Sequence, residues 1–594
     1  MADVKELSYS ALRRIALGAL GAGSALALWG LSENWSNPAI PPAALLAVFV
    51  FVMVFSGVSL ALAGPLTLRN ALSGAVWLAA PVAALVSLAG LRYVRSTDLL
   101  DEPVTLVVAG VLVLVATPFL LVRRQAGKAW LDYAHLFDAA WTVFIRYFAA
   151  WVFVGIFWMV LFLSNQLLKL VDVQIIELIL RREWLVFALT GGTLGLGLAV
   201  VYELRDTISP FIVLRLLRLL VPVVLLVVVV FLLAMPFQGQ SDLFGEFSAA
   251  GILMGTAIVA ITLINTALDR SDERAVTSRG LRVSTRLMAI ALPVLAGLAV
   301  WAVAVRVVQY GWTPDRVLAM CAALFLLVYG VLYCFTALAG AGWMARIRRV
   351  NVVMALFVVA VAALWMTPVL NAQKISVNSQ IKRFAMNQSA LDQLPLWELA
   401  KEWGKAGQAG LDRLLAMTGH AEFAELAARI GEVRKSNSRF QFRTAERERE
   451  APDLAMELAE KMIVLPAGEG ALDISAFAGL EVYTLRSWVN GCRKTLSGGQ
   501  PGCVMLRDTF LPAPVVADQA AVFYLGLDGR VQTRLAIFEN GVISDVRPMQ
   551  NALRGQWEPM KAEFLQDLLK GAYDVRPAGI RGLFLRDVLL VPSN

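Results

Sequence analysis

Cysteine and histidine are the residue types in this chain best suited to covalent, redox or metal chemistry, and there are four of the first and two of the second. Cys492 and Cys503 bracket a polar, glycine-rich stretch, GCRKTLSGGQPGC. That spacing is far wider than the Cys-x-x-Cys of a redox pair. Two thiols with no histidine nearby also make a poor zinc site. In an oxidising compartment such a pair most often closes a loop as a disulfide, stabilising the domain by on the order of 2–4 kcal/mol. Cys321 and Cys334 fall inside an apolar run, where thiols pack as small inert side chains. His135 and His420 each stand alone, and surface or capping roles suit them better than general-base work. There is no H-E-x-x-H, no G-x-S-x-G and no S-x-x-K with its companion motifs. Carboxylates are plentiful towards the C-terminus, but none forms a pair that the sequence sets apart. No catalytic residue, metal ligand or cofactor-binding residue is assigned, and no cofactor is expected.

One motif inside the cysteine loop suggests nucleotide chemistry. Leu496-Ser497-Gly498-Gly499-Gln500 resembles the signature of ABC-transporter ATPases. That reading needs a G-x-x-x-x-G-K-[ST] phosphate loop elsewhere in the chain, and none occurs. A second glycine cluster, Gly191, Gly192, Gly195 and Gly197, lies in an apolar run with no preceding strand. Gly191 and Gly195 form a small-xxx-small pair, which packs helices far more often than it cradles phosphate.

The elements that must position these residues divide at Val350–Leu370, VNVVMALFVVAVAALWMTPVL. This stretch carries no charge over about 20 residues, enough to cross a hydrocarbon core of roughly 30 Å. Before it the chain reads as membrane, after it as water-soluble protein. Overall 58% of the residues are hydrophobic and 16% charged. The formal net charge of +8 falls almost wholly before residue 371. Basic loops on one side of a membrane explain that better than nucleic acid does. Eleven apolar spans can be marked, at 15–32, 41–62, 70–91, 103–122, 140–163, 184–202, 213–236, 247–267, 287–307, 316–338 and 350–370, and each must be a helix. The first could be mistaken for a signal peptide but is expected to be a retained span. With the N-terminus inside, the inside segments hold 18 Lys and Arg and the outside loops 7. The positive-inside rule then places the N-terminus in the cytoplasm and the C-terminal domain outside, in the periplasm of a Gram-negative host. No Asp, Glu, Lys or His lies at the centre of a span. Arg146 is expected to snorkel from the inner end of its span, and Arg215, Arg218 and Arg306 lie near span ends. The loop Asn165–Arg182 is apolar yet carries Lys169, Asp172 and Glu177; it reads as an interfacial helix, or, less simply, as a gate over a cavity.

Three stretches in order, GIFWMVLFLSNQLLKLV (Gly155–Val171), LLRLLVPVVLLVVVVFLLAMPFQG (Leu216–Gly239) and LPLWELAKEWGKAGQAGLDRL (Leu394–Leu414), resemble a family of bacterial polytopic membrane proteins, domain of unknown function 4153. The resemblance implies an integral inner-membrane protein. It supplies no activity and no catalytic residue.

The expected fold is an all-α polytopic bundle of about eleven transmembrane helices over 1–371, followed by a soluble α+β domain over 372–594. The domain is helical over 380–462 and strand-rich over 471–594. ERERE (Glu446–Glu450) reads as a solvated face. Asp528-Gly529 and Asn540-Gly541 predict a three-stranded meander over 521–547, with a helix near Glu558–Leu569 and a last strand near Leu583–Val591. The leading functional reading is a non-enzymatic envelope sensor, binding or scaffold protein, with the lipid bilayer and envelope proteins or further copies of itself as partners and no nucleic acid. The rivals are a transporter or flippase for a lipid-linked or apolar solute, and a membrane glycosyl- or phospho-transferase using Asp98, Asp101 and Glu102.

Overall fold

Apolar runs of membrane length must satisfy their backbone polar groups internally, and a computed structural model shows that they do so as helices. It describes residues 2–35, 37–171, 173–203, 210–237, 248–466, 472–511, 518–526, 528–551, 560–577, 581–585 and 588–592. Asp172 and Arg205 lie outside the described residues. Among these residues eleven helices are long and apolar enough to cross a membrane, as expected, and the chain is a multi-pass membrane protein. They comprise α1 (Ala2–Ser32), α2 (Pro42–Leu62), α3 (Leu68–Gly90), α4 (Pro103–Ala126), α5 (Tyr133–Lys169), a short extramembrane α6 (Ile175–Leu180), α7 (Glu183–Glu203), a seventh span broken at Leu220 into α8 (Pro210–Leu219) and α9 (Val221–Ala234), α10 (Ser248–Leu268), α11 (Arg279–Tyr310), α12 (Pro314–Leu338) and α13 (Trp343–Trp365).

Lipid offers no hydrophobic drive for helix association, so close backbone packing must supply it. The glycine pair does this between α1 and α7. A Cβ on Gly191 would fall on the Gly21 carbonyl, and one on Gly195 on the Leu17 carbonyl. Gly192, one residue along, faces Ala22 with ordinary contact room at 3.6 Å.

A second force acts at helix ends, where the last carbonyls lack partners. Arg146 was expected to snorkel. It is instead 4% exposed, with Nη1 donating to the Ala61 carbonyl at 3.2 Å and its guanidinium over the Tyr202 ring. Arg13 donates to the carbonyls of Ala63, at 2.8 Å, and Gly64, at 2.6 Å. The two arginines satisfy the end of α2, which outweighs the gain from reaching water.

The chain packs as two compact units, Met1–Gly431 and Glu432–Asn594. The first takes in the polar helices α14 (Ala372–Ala385) and α15 (Gly404–Leu415) that follow the last span, and α16 (Phe423–Lys435) comes next in the chain. Gln380 Nε2 donates to the carbonyls of Tyr310, at 3.0 Å, and Trp312, at 2.9 Å. Lys405 Nζ donates to the Leu91 carbonyl at 3.0 Å. Compactness thus breaks the chain after residue 431, whereas the change from apolar to polar composition comes near 371.

The second unit contains α17 (Arg439–Lys461), α18 (Val482–Cys492), α19 (Glu563–Leu569) and an eight-stranded sheet of order β1-β2-β3-β4-β5-β8-β7-β6, whose β1 is Ile463–Leu465 and whose β6 is Asp574–Pro577. The predicted meander is β3 (Asp518–Leu525), β4 (Val531–Glu539) and β5 (Val542–Asn551), all antiparallel. Asn540 and Gly541 both take positive φ, 53° and 80°, as a type I′ hairpin turn requires. The single last strand expected over 583–591 is instead a hairpin of β7 (Arg581–Leu585) and β8 (Val588–Pro592). Apolar β-prone residues flank a reversal whose turn chemistry is weak in sequence. One sheet face packs on α17, the short turn Ile474–Phe477 and α18 through Leu458, Phe477 and Trp488; the other packs on α19 through Leu565 and Leu568. Cys492 at the end of α18 and Cys503 at the start of β2 (Cys503–Arg507) are disulfide-bonded, with Cα atoms 4.7 Å apart. ERERE lies on α17, and its Glu450 pairs with Arg486 of α18.

Two outcomes follow from these contacts. Gly195→Ala should lower the melting temperature of the detergent-solubilised protein, because its methyl group meets backbone that cannot yield, a cost of about 1–3 kcal/mol; Gly192→Ala should leave it unchanged. In the second unit, hydrogen bonds from Arg493 and then Lys461 hold the Glu457 carboxyl at about 2 against an ordinary 4.5. A depressed folded value contributes stability in full above the unfolded value and loses it as pH falls towards 2. The protection of the α17 and α18 amides against hydrogen exchange, taken relative to the intrinsic rate at each pH, should therefore fall from about pH 5 downwards, and Glu457→Gln should flatten that dependence by less than about 1 kcal/mol, since the pair is exposed.

Candidate functional site

A buried polar cluster inside the bundle begins at the end of α10. Its chain leaves the helix at Asp269, whose φ of 51° is left-handed, a conformation an aspartate tolerates. The Asp269 carboxylate pairs with Arg218, itself donating through Nε to the Thr266 carbonyl at 2.6 Å. Arg348 of α13 donates to the carbonyls of Leu268, at 2.6 Å, and Asp269, at 3.1 Å, and pairs with Asp272 at 2.6 Å. These bonds lock α13 to the end of α10.

That lock brings two amides together one turn deeper. Asn351 Nδ2 donates to Asn265 Oδ1 at 2.5 Å. Tyr329 and Tyr333, four apart on α12, both donate to Asn351 Oδ1, at 2.7 and 2.5 Å. Tyr133, at the start of α5, accepts from Asn351 Nδ2 at 3.3 Å. A buried polar network between spans joins helices because lipid offers its groups no alternative, each bond contributing about 1 kcal/mol. These amides and phenols are not among the charged groups by which a polar span centre is read in sequence. The available signal was Asn265 and Asn351 within apolar runs and the Tyr-x-x-x-Tyr spacing on one helix face.

Asn265, Asn351, Tyr133 and Tyr329 form the polar floor of a hollow of about 490 Å³, walled by apolar residues of α4 and α5 such as Pro118, Phe137 and Phe144. A second hollow of about 330 Å³ continues it between α2, α3, α4 and α5, sharing Leu114, Val143 and Phe144. It is apolar apart from Thr117 and Tyr147. At the opposite end the first hollow shares Tyr133 and Val352 with a third, of about 400 Å³, lined by Arg270, Arg348, Arg349 and Asp132. The three adjoining hollows, together the trough, are apolar in the second, amide-floored in the first and arginine-rich in the third. Arg270 pairs with Asp138, and Arg348 is fully engaged as described.

The residues singled out in the sequence lie elsewhere. Glu177 pairs with Lys169 at 2.9 Å and Arg181 at 2.8 Å, closing the turn between α5 and α6; Arg181, then Lys169, hold its carboxyl at about 2. Neither Lys169 nor Glu177 lines the trough. Of the acidic loop after α3, Asp98 accepts from the Arg95 backbone N–H at 3.1 Å. Glu102 accepts from Tyr93 at 3.0 Å, Thr105 at 2.9 Å and Gln373 at 3.4 Å, and burial pushes its carboxyl upward. These bonds tie the loop to α14 through Gln373 and engage Asp98 and Glu102, two of the three carboxylates that a transferase would use. His135 pairs with Asp132 at 2.7 Å, and His420 stacks on Phe384. Among the described residues no cluster of His, Cys, Asp and Glu could hold a metal ion. The LSGGQ stretch is the turn of the disulfide loop, where Ser497 accepts from Gln566 of α19.

A family model described as domain of unknown function DUF4153 matches residues 42–396. That range takes in ten of the eleven spans and every helix of the trough. No curated protein matches the chain, and no solved structure does.

The network makes a graded prediction. Asn351→Leu removes the shared acceptor of Tyr329 and Tyr333 and the donor to Asn265 Oδ1, leaving the 3.2 Å bond from Tyr333 to Asn265, and should destabilise the solubilised protein by about 1–3 kcal/mol. Tyr329→Phe should cost less, because Asn351 Oδ1 keeps its bond from Tyr333. Thermal melts of the two variants side by side check the order.

Proposed function

The chain belongs to the DUF4153 family, and we propose that its membrane half binds a lipid-like amphiphile in the trough between α2, α3, α4, α5, α10, α12 and α13. One observation carries the reading: three adjoining hollows grade from apolar walls through an amide floor to an arginine-rich end, matching the polarity gradient of a molecule with a long apolar part and a polar head. Binding sites are concave and mostly apolar, with few well-placed polar groups. This makes the protein a membrane binding or sensing protein rather than an enzyme. The length of the trough also favours a second reading, in which the bound amphiphile is carried along it as in a flippase.

The reading takes the membrane as the inner membrane of a bacterium, with the arginine-rich end in the cytoplasm and the C-terminal domain on the far side. The excess of Lys and Arg on the N-terminal side supports this. So does the packing of α14 and α15 against the ends of α3 and α11, which lie on the opposite side from the N-terminus.

Photoactivatable lipid in the membrane, followed by peptide mapping, tests the site. Label should concentrate on 113–144 of α4 and α5. Gly57 and Gly110 border the second hollow and face open space, so Gly110→Leu should fill it without strain and cut that label severalfold while melting stays unchanged. Label spread evenly over exposed faces such as Leu226 and Val230 of α9 would remove the basis for the reading.

A further inference from the structure

The arginine-rich end of the trough carries more than a charge gradient. Three guanidinium groups line a hollow of about 400 Å³ together with one carboxylate, Asp132. Asp132 is engaged by His135 at 2.7 Å. Arg270 is matched by Asp138 and Arg348 by Asp272 at 2.6 Å, so both cations are fixed in place by carboxylates on neighbouring segments. Arg349 differs. It is exposed, lines the same hollow, and no carboxylate pairs with it among the described residues. The hollow therefore presents Arg349, with no ion-pair partner of its own among the described residues, beside two immobilised guanidinium groups and the His135-held Asp132 carboxylate, at the mouth of an apolar trough. An arginine fork suits phosphate oxygens, and basic pockets between spans at the membrane surface are where anionic lipid headgroups bind.

We propose that this hollow holds the phosphate of an anionic phospholipid, with Arg349 as its principal ligand and the lipid's chains lying in the trough. The inference rests on the trough reading and adds the headgroup chemistry to it. A zwitterionic headgroup would bring its own cation towards Arg270, Arg348 and Arg349. An anionic one brings none, so the site discriminates by charge. A soluble phosphate would share the headgroup contacts but gain nothing from the apolar walls, so the chains should supply most of the retention.

Native mass spectrometry of the full chain tests this, with phosphatidylglycerol and phosphatidylcholine of the same acyl chains supplied in equal amounts. Retention of phosphatidylglycerol should exceed that of phosphatidylcholine about tenfold, the equivalent of one charge-assisted hydrogen bond. Arg349→Gln should bring the two lipids level. Arg69→Gln, which removes an exposed arginine on the same side but away from the hollow, should change nothing. Inorganic phosphate at millimolar concentration should not displace the lipid. Equal retention of both lipids by the unaltered protein, with photolabel still in the trough, would overturn the headgroup assignment and leave the trough reading standing. Loss of both retention and trough label would overturn the two together. Displacement by inorganic phosphate would make the hollow a soluble-anion site and likewise overturn the proposal.

Discussion

The last carbonyls of each helix have no partner within it, and inside a membrane there is little water to supply one. In this protein arginines from neighbouring helices supply it. Arg13 and Arg146 serve the end of α2, Arg218 and Arg348 the end of α10, and Arg286 the end of α12. At the other face of the bundle Arg383 and Arg316 serve the end of α11, and Arg92 the end of α13. Each contact places a positive charge at the negative end of a helix dipole and ties two helices at a fixed height. The arginines that report orientation in the sequence are thus also fasteners of the bundle.

The trough depends on two of these fasteners. Arg348 and Arg218 fix α13 and the end of α10, and only then do Asn265 and Asn351 meet. With α10, α12 and α13 drawn together by their amides and phenols, the space between α4, α5 and α13 stays open, and its floor is polar where the network faces it. The same locking leaves Arg270 and Arg348 satisfied and Arg349 with spare donors.

The spans, their number and the meander were legible because each rests on local signals: uninterrupted apolar length for the spans, Asn-Gly and Asp-Gly for the hairpins. The disulfide was legible because its two cysteines are alone in a polar domain. What escaped depends on neighbours far away in sequence. Nothing near Arg146 shows that the end of α2 lies against it. Asn265 and Asn351, 86 residues apart, look like isolated polar residues until α10 and α13 pair. Likewise α14 and α15 read as the start of a soluble domain from their polarity, although their hydrogen bonds run back to the ends of α3 and α11.

The most direct measurement is a cryo-electron microscopy map of the full chain in nanodiscs of native lipid. The account predicts an elongated, non-protein density running from the side of Arg349, past Tyr133 and Phe144, towards Thr117 and Gly110. A map in which Phe144, Leu114 and Tyr147 close over that space and leave no room for an acyl chain would contradict it.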